Sequence, residues 1–167
     1  MNVLADILEA IAHTPVKKRA MANHGVLNEA YAYAKPSLFS RSMRVDLNGL
    51  VILLVSGTAS IDEHGNSVHI GDCPAQLRRT FDNITDLLTS EGATWHDVVR
   101  TSCYLRDKDR DYVVFNAGRI AFFKEQGLDP LPASTGIQAH LCRPELLIEI
   151  EAIAMFRTDK ATEYTKE

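Results

Sequence analysis

The sequence predicts an α+β domain, one sheet with two helices packed on a single face. Three observations predict it. Read along the chain, the elements run strand pair, helix, strand, helix, strand pair. After Asp72, the residues Leu77, Phe81, Ile84 and Leu88 recur at the spacing of one helical face. Val98 to Leu105 and Leu146 to Phe156 alternate instead with the two-residue period of a strand.

The elements follow in order. Asn2 to His13 reads as a helix, because Leu4, Ile7, Leu8 and Ile11 share one face. Pro15 interrupts it, and Val16 to Ala30 is expected to hold a second short helix. Residues 1–35 are therefore read as an N-terminal helical extension: a lid, a cap or an oligomer arm, or else a helix covering one edge of the domain. Ser42 to Asp46 and Leu50 to Val55 are strands joined at Asn48-Gly49, a pair of residues suited to a tight hairpin. Asp62 to Asn66 is a turn. Asp72 caps the first long helix, with Pro74 in its first turn. Asp109 to Gln126 is the second, closed by Gly127. Ser134 to His140 and Leu146 to Phe156 are the last strands, and 159–167 is a polar tail.

Composition narrows the function classes. The chain has 167 residues, 46% hydrophobic and 24% charged, which suits one globular domain with an ordinary core. The net charge is −4 and the basic residues are scattered, so no phosphate-neutralising face is visible and no nucleic acid partner is expected. No apolar run reaches the roughly 18 residues of a membrane span. Met1 to His13 lacks the basic start of a signal peptide. Cys73, Cys103 and Cys142 are odd in number and widely spaced, which fits free thiols and a cytoplasmic location. His64, His69, His96 and His140 lack metal-ligand spacing, although His140 lies on the strand before Glu149 and can approach a site there.

The last strand carries the sharpest chemical signal. Ile148, Ile150, Ala152, Ala154 and Phe156 share one face, fit to pack on helices. Glu149, Glu151, Ile153 and Met155 share the other. A carboxylate beside apolar neighbours must be paired, hydrogen-bonded or protonated. A partly buried glutamate with a raised pKa is a good proton shuttle. Two structural salt bridges across a subunit interface are the alternative.

From Ser56 onward, an ordered series of motifs carries a family resemblance. It comprises Ser56-Gly57-Thr58, Gln76 and Asn83 on a helix, Leu105-Arg106-Asp107, Phe115-Asn116, Ala121-Phe122-Phe123, Leu131-Pro132-Ala133-Ser134 and Ile148 to Ala154. This series resembles the Rid family, also called YjgF-like, small trimeric proteins whose best-known members hydrolyse reactive imines. The resemblance runs from Arg41 to Arg157, and residues 36–158 are taken as a Rid-like domain. It implies a chorismate-mutase-like sheet whose second face lines a barrel in a homotrimer, with three interfacial clefts for a small-molecule substrate and no metal or organic cofactor.

The resemblance also implies roles. Glu149 matches the glutamate that positions or activates water, and Glu151 a more structural one. Ser56 and Gly57 match residues that close the first strand pair at the cleft, and Asn116 one that lines it from the second helix. Phe39 falls where many members have a cleft tyrosine, so one hydroxyl is lost. Ser134 stands where deaminating members place an arginine that clamps the substrate carboxylate, and Gly136 where many have cysteine. Serine supplies no charge, so an anionic substrate needs another cation. Arg41 is the first candidate, because its loop borders the family cleft, and Arg143 the second. A shorter resemblance, Val55 to Ser60 with His64, His69 and Gly71-Asp72, is to chorismatases, which carry Rid-like domains and hydrolyse an enol ether. The expectation is hydrolytic deamination of a small imine or enamine, with Glu149 and Ser56 catalytic. The alternatives are enol ether hydrolysis and a non-catalytic metabolite-binding protein. Ribonuclease activity, sometimes attached to the family, gains nothing from an acidic sequence.

Overall fold

The computed structural model describes residues 16–21, 27–33 and 38–158. The helix expected over Asn2 to His13 and the polar tail lie outside the described residues. Eight main elements follow: β1 (Lys17–Ala20), β2 (Ser42–Leu47), β3 (Leu50–Ala59), α1 (Cys73–Ser90), β4 (Val98–Leu105), α2 (Lys108–Glu125), β5 (Ala133–Gln138) and β6 (Ile148–Arg157). The six strands form one sheet in the order β1-β2-β3-β6-β4-β5. Only β4 and β5 are parallel; the other neighbours are antiparallel.

The two-residue period of β6 decides which face is core. Ile148, Ile150, Ala152, Ala154 and Phe156 are all buried, alongside Val51, Leu53 and Val55 of β3 and Cys103 and Leu105 of β4. Onto them pack Leu77, Phe81, Ile84 and Leu88 of α1, the stripe that the sequence predicts. Each such side chain removed from water contributes roughly 1.5–3 kcal/mol. Phe81 stacks on Phe122 at 4.3 Å, and the Trp95 ring meets Phe81 edge-on at 5.5 Å, which joins the two helices. The other face of the sheet stays open, with Leu54 and Met155 exposed.

Local chemistry sets the ends of the elements. Asn48 and Gly49 both take positive φ, 47° and 81°, as a two-residue hairpin of this hand requires. Asp72 accepts from the Ala75 amide at 3.0 Å, and Asp107 caps α2 in the same way. β3 runs four residues past the expected Val55, through a bulge between Val55 and Thr58.

One expected element is different in kind. The stretch Val16 to Ala30 holds strand β1, not a second helix. Its three consecutive basic residues pair with β2, in a register that includes Lys17↔Asp46 and Arg19↔Arg44. Arg19 also forks onto Glu91 at 2.6 and 2.7 Å. Sheet pairing and this ion pair outweigh the local helix preference, and the charges blunt an exposed edge. Met21, Leu27 and Tyr33 enter the same hydrophobic core. β5 ends at Gln138, so His140 sits in the following loop, exposed, rather than on a strand beside Glu149.

Candidate active site

Glu149 is the second residue of β6, on the open face of the sheet, opposite Ala59 of β3 and Tyr104 of β4. Two buried amides fix this corner. Gln76 of α1 donates to the Glu145 carbonyl at 2.9 Å and accepts from the Leu147 amide at 2.8 Å, which anchors the start of β6. Asn83 donates to the carbonyls of Ala59 and Ile61 at 3.0 and 3.1 Å, which anchors the end of β3. Both side chains are fully buried, so each bond lost would leave a polar group stranded.

Gly57 makes room for the carboxylate. A Cβ built on Gly57 would lie 2.0 Å from Glu149 Oε1, so glycine is the residue that admits the acid here. Burial and then the negative charge of Glu151 push the Glu149 carboxyl above the ordinary carboxylate range, while Arg41 pulls it down. Glu151 accepts from the Tyr104 hydroxyl at 3.0 Å, and that bond raises the Tyr104 pKa. Neither glutamate makes an ion pair among the described residues. Adjacent carboxylates thus have different surroundings, one bonded to a phenol and one facing a cavity.

That cavity, about 120 Å³, brings together five of the residues singled out in the sequence: Phe39, Arg41, Gly57, Arg143 and Glu149. Arg41 is only 5% exposed. Its guanidinium lies 5.1 Å from the Tyr33 ring centroid and 5.3 Å from that of Phe39, and its Nε donates to the Asn28 carbonyl at 3.3 Å. Arg143 is committed to the turn, donating to the Gly65 carbonyl and to Ser67 Oγ. Ser56 stands apart: its hydroxyl donates to the Ser40 carbonyl at 2.9 Å, and it borders a separate hollow on the open face with Ser102 and Glu151.

Asn116 and Ser134 lie elsewhere in the chain's own fold. They meet at Arg119, which donates to Asn116 Oδ1 at 2.7 Å and to Ser134 Oγ at 3.1 Å. Ser134 also accepts from Thr101 Oγ1 at 3.0 Å. This group borders its own cavity, and no residue lining that cavity lines the one at Glu149.

Two residues of these sites escaped the sequence reading. Tyr33 lines the Glu149 cavity, and its buried hydroxyl has no hydrogen-bond partner among the described residues. It gives the cavity a phenol, yet it lies in a stretch taken for an extension. Arg119 is one helical turn beyond Asn116, and that spacing was a usable signal.

Among the described residues, no helix is long and apolar enough to cross a membrane. A family model described as Endoribonuclease L-PSP matches residues 34–156. The 3-aminoacrylate deaminase RutC of Acinetobacter baylyi is 35% identical over 103 residues, covering 62% of this chain and 78% of that protein. The crystal structure of the E. coli YjgF gene product superposes with a TM-score of 0.65 at 27% identity, covering 83% of this chain and 99% of that one. The Rid protein YyfA of Yersinia pestis gives 0.67 at 24% identity, over 84% of this chain and 100% of its own; that likeness bears on the fold alone.

Proposed function

Because this chain belongs to the Endoribonuclease L-PSP family, the Rid/YjgF proteins, we propose that it hydrolyses a small imine or enamine to a carbonyl compound and ammonia. The observation that carries the reading is the Glu149 carboxylate, admitted by Gly57, raised in pKa and open to a cavity. The similarity to a deaminase supports it.

The chemistry is redox-neutral. Glu149 takes a proton from water as the water oxygen adds to the imine carbon. That proton goes to nitrogen to give a carbinolamine; Glu149 then carries the hydroxyl proton to the same nitrogen, the carbon–nitrogen bond breaks, and ammonia leaves as the carbonyl forms. A carboxyl whose pKa lies above the ordinary carboxylate range suits both halves of that transfer. Arg41, within 5.3 Å of the Tyr33 and Phe39 ring centroids, opposes that rise. The Tyr33 hydroxyl has a free donor for water or substrate.

A homotrimer belongs to the same proposal. Leu54 and Met155 on the open face, and every residue of β5, are exposed in the single chain. Packing three such sheets would cover them, and would let the Asn116–Ser134 group of one copy approach the Glu149 cavity of the next. The enol ether reading gains no comparable support, since His64 and His69 are both exposed. Ser134, which carries no charge, favours one other reading, a trimer that binds a metabolite without turnover.

The test is ammonia release from imines of charged and neutral amino acids generated in place. Turnover by the wild type that Glu149→Ala abolishes, with its fold intact, is the expected result. Binding without turnover on any imine would replace hydrolysis by the binding reading.

A further inference from the structure

Arg119 of α2 lines a second cavity, apart from the one that Arg41 and Arg143 line. Four of the chain's eleven arginines pair with carboxylates among the described residues. Arg78 meets Glu125 and Asp82, Arg110 meets Asp111, and Arg19 and Arg44 share Glu91. Arg106 donates to the backbone carbonyls of Leu141, Arg143 and Leu146, a purely structural task. Arg100 bonds only the neutral Thr135, but the hollow it lines also holds Glu151; the cavity that Arg119 lines holds no carboxylate. The recorded hydrogen-bond partners of Arg119 are two neutral side chains, Asn116 and Ser134, and its guanidinium lies 5.3 Å from the Phe115 ring centroid. No carboxylate pairs with it among the described residues. Neutral acceptors and a ring fix the direction of the fork but leave its charge uncompensated, with N–H donors to spare.

Beside this fork lies a cavity of about 230 Å³ with walls from Ile120, Phe123, Leu128, Leu131 and Pro132. Lys124, on its rim, adds a second positive charge. A guanidinium at one end of an apolar hollow fits one chemical class: a carboxylic acid with a hydrocarbon side chain.

We propose that Arg119, oriented by Asn116 and Ser134, binds the carboxylate of such a molecule while the adjacent cavity takes its apolar part. Ser134 serves here as an acceptor that holds the arginine, which gives a small uncharged residue a role at that position. The inference deepens the proposed function, and rests on it only for the reaction at the carbon next to that carboxylate. Substrates would then be imines of amino acids with apolar side chains.

Binding alone tests this, without turnover. The probe is 4-methyl-2-oxopentanoate, titrated calorimetrically into the full chain beside its methyl ester. The acid is expected to bind, with the ester at least about tenfold weaker, as loss of a charge-assisted bond requires. Arg119→Gln should weaken the acid by a similar factor, and Arg119→Lys by less. Glu149→Gln should leave acid binding intact, so failure of hydrolysis and failure of this subsite are separately visible. Equal binding of acid and ester to the wild type would overturn the proposal whatever the variants do. So would wild-type affinity in Arg119→Gln, or no binding of the acid at millimolar concentration.

Discussion

At the residue scale, one glutamate and one glycine form a unit. Gly57 has no side chain because Glu149 Oε1 occupies the place where a Cβ would go. Gly57→Ala must push the carboxylate out of position by more than an ångström, and misplacement of that size typically costs about 100-fold in rate. The expected outcome is a loss of that order in kcat with a nearly unchanged melting temperature, checked by imine turnover and calorimetry side by side. Unchanged turnover would detach Gly57 from the site. Much of this pair was legible in the sequence, since an alternating strand places Glu149 opposite the core residues. The distinct settings of Glu149 and Glu151 were not legible, because they depend on Tyr104 from another strand. Arg41 and Arg143 show the same limit. Both do reach the cavity, but what their donors touch is fixed by loops distant in sequence.

At the scale of elements, α1 sets the site through amides, not through its apolar stripe. Gln76 ties the helix to the start of the strand that carries Glu149 by two hydrogen bonds, and a third reaches the His69 carbonyl ahead of the helix. Gln76→Ala strands the Leu147 amide and the Glu145 carbonyl away from water. A loss of about 2–4 kcal/mol is expected by denaturant titration. Turnover should fall further than stability alone explains, because the start of β6 loosens. Periodicity found α1, β4 and β6, since each carries a one-sided apolar pattern, whereas α2 has almost none and was legible from its closing Gly127. It failed at β1, where Lys17, Lys18 and Arg19 have no apolar pattern and the strand exists only because β2 offers an edge. Local sequence cannot report a partner that arrives from elsewhere in the fold.

At the scale of the whole molecule, the fold of one chain keeps two cavities apart. Glu149 and its cavity belong to one face of the sheet, and the Arg119 group belongs to another part of the surface. The proposed trimer unites them across a subunit boundary. Sedimentation should then give three times the 18.6 kDa chain mass. Leu54→Lys, which puts a charge on the open face, should shift the protein towards monomer and lower turnover with it. A trimer that survives this change would place the contact elsewhere.

The central claim is that Glu149 activates water, and the pH dependence of hydrolysis tests it most directly. As a general base the carboxyl must be ionised, so kcat/KM should fall as pH drops through its pKa. Burial and Glu151 raise that pKa, so the fall should begin above the ordinary glutamate value of about 4.3. Glu149→Gln should lack both the limb and at least about 100-fold of the rate. A flat wild-type profile, or a Glu149→Gln variant that keeps the limb, would contradict the account.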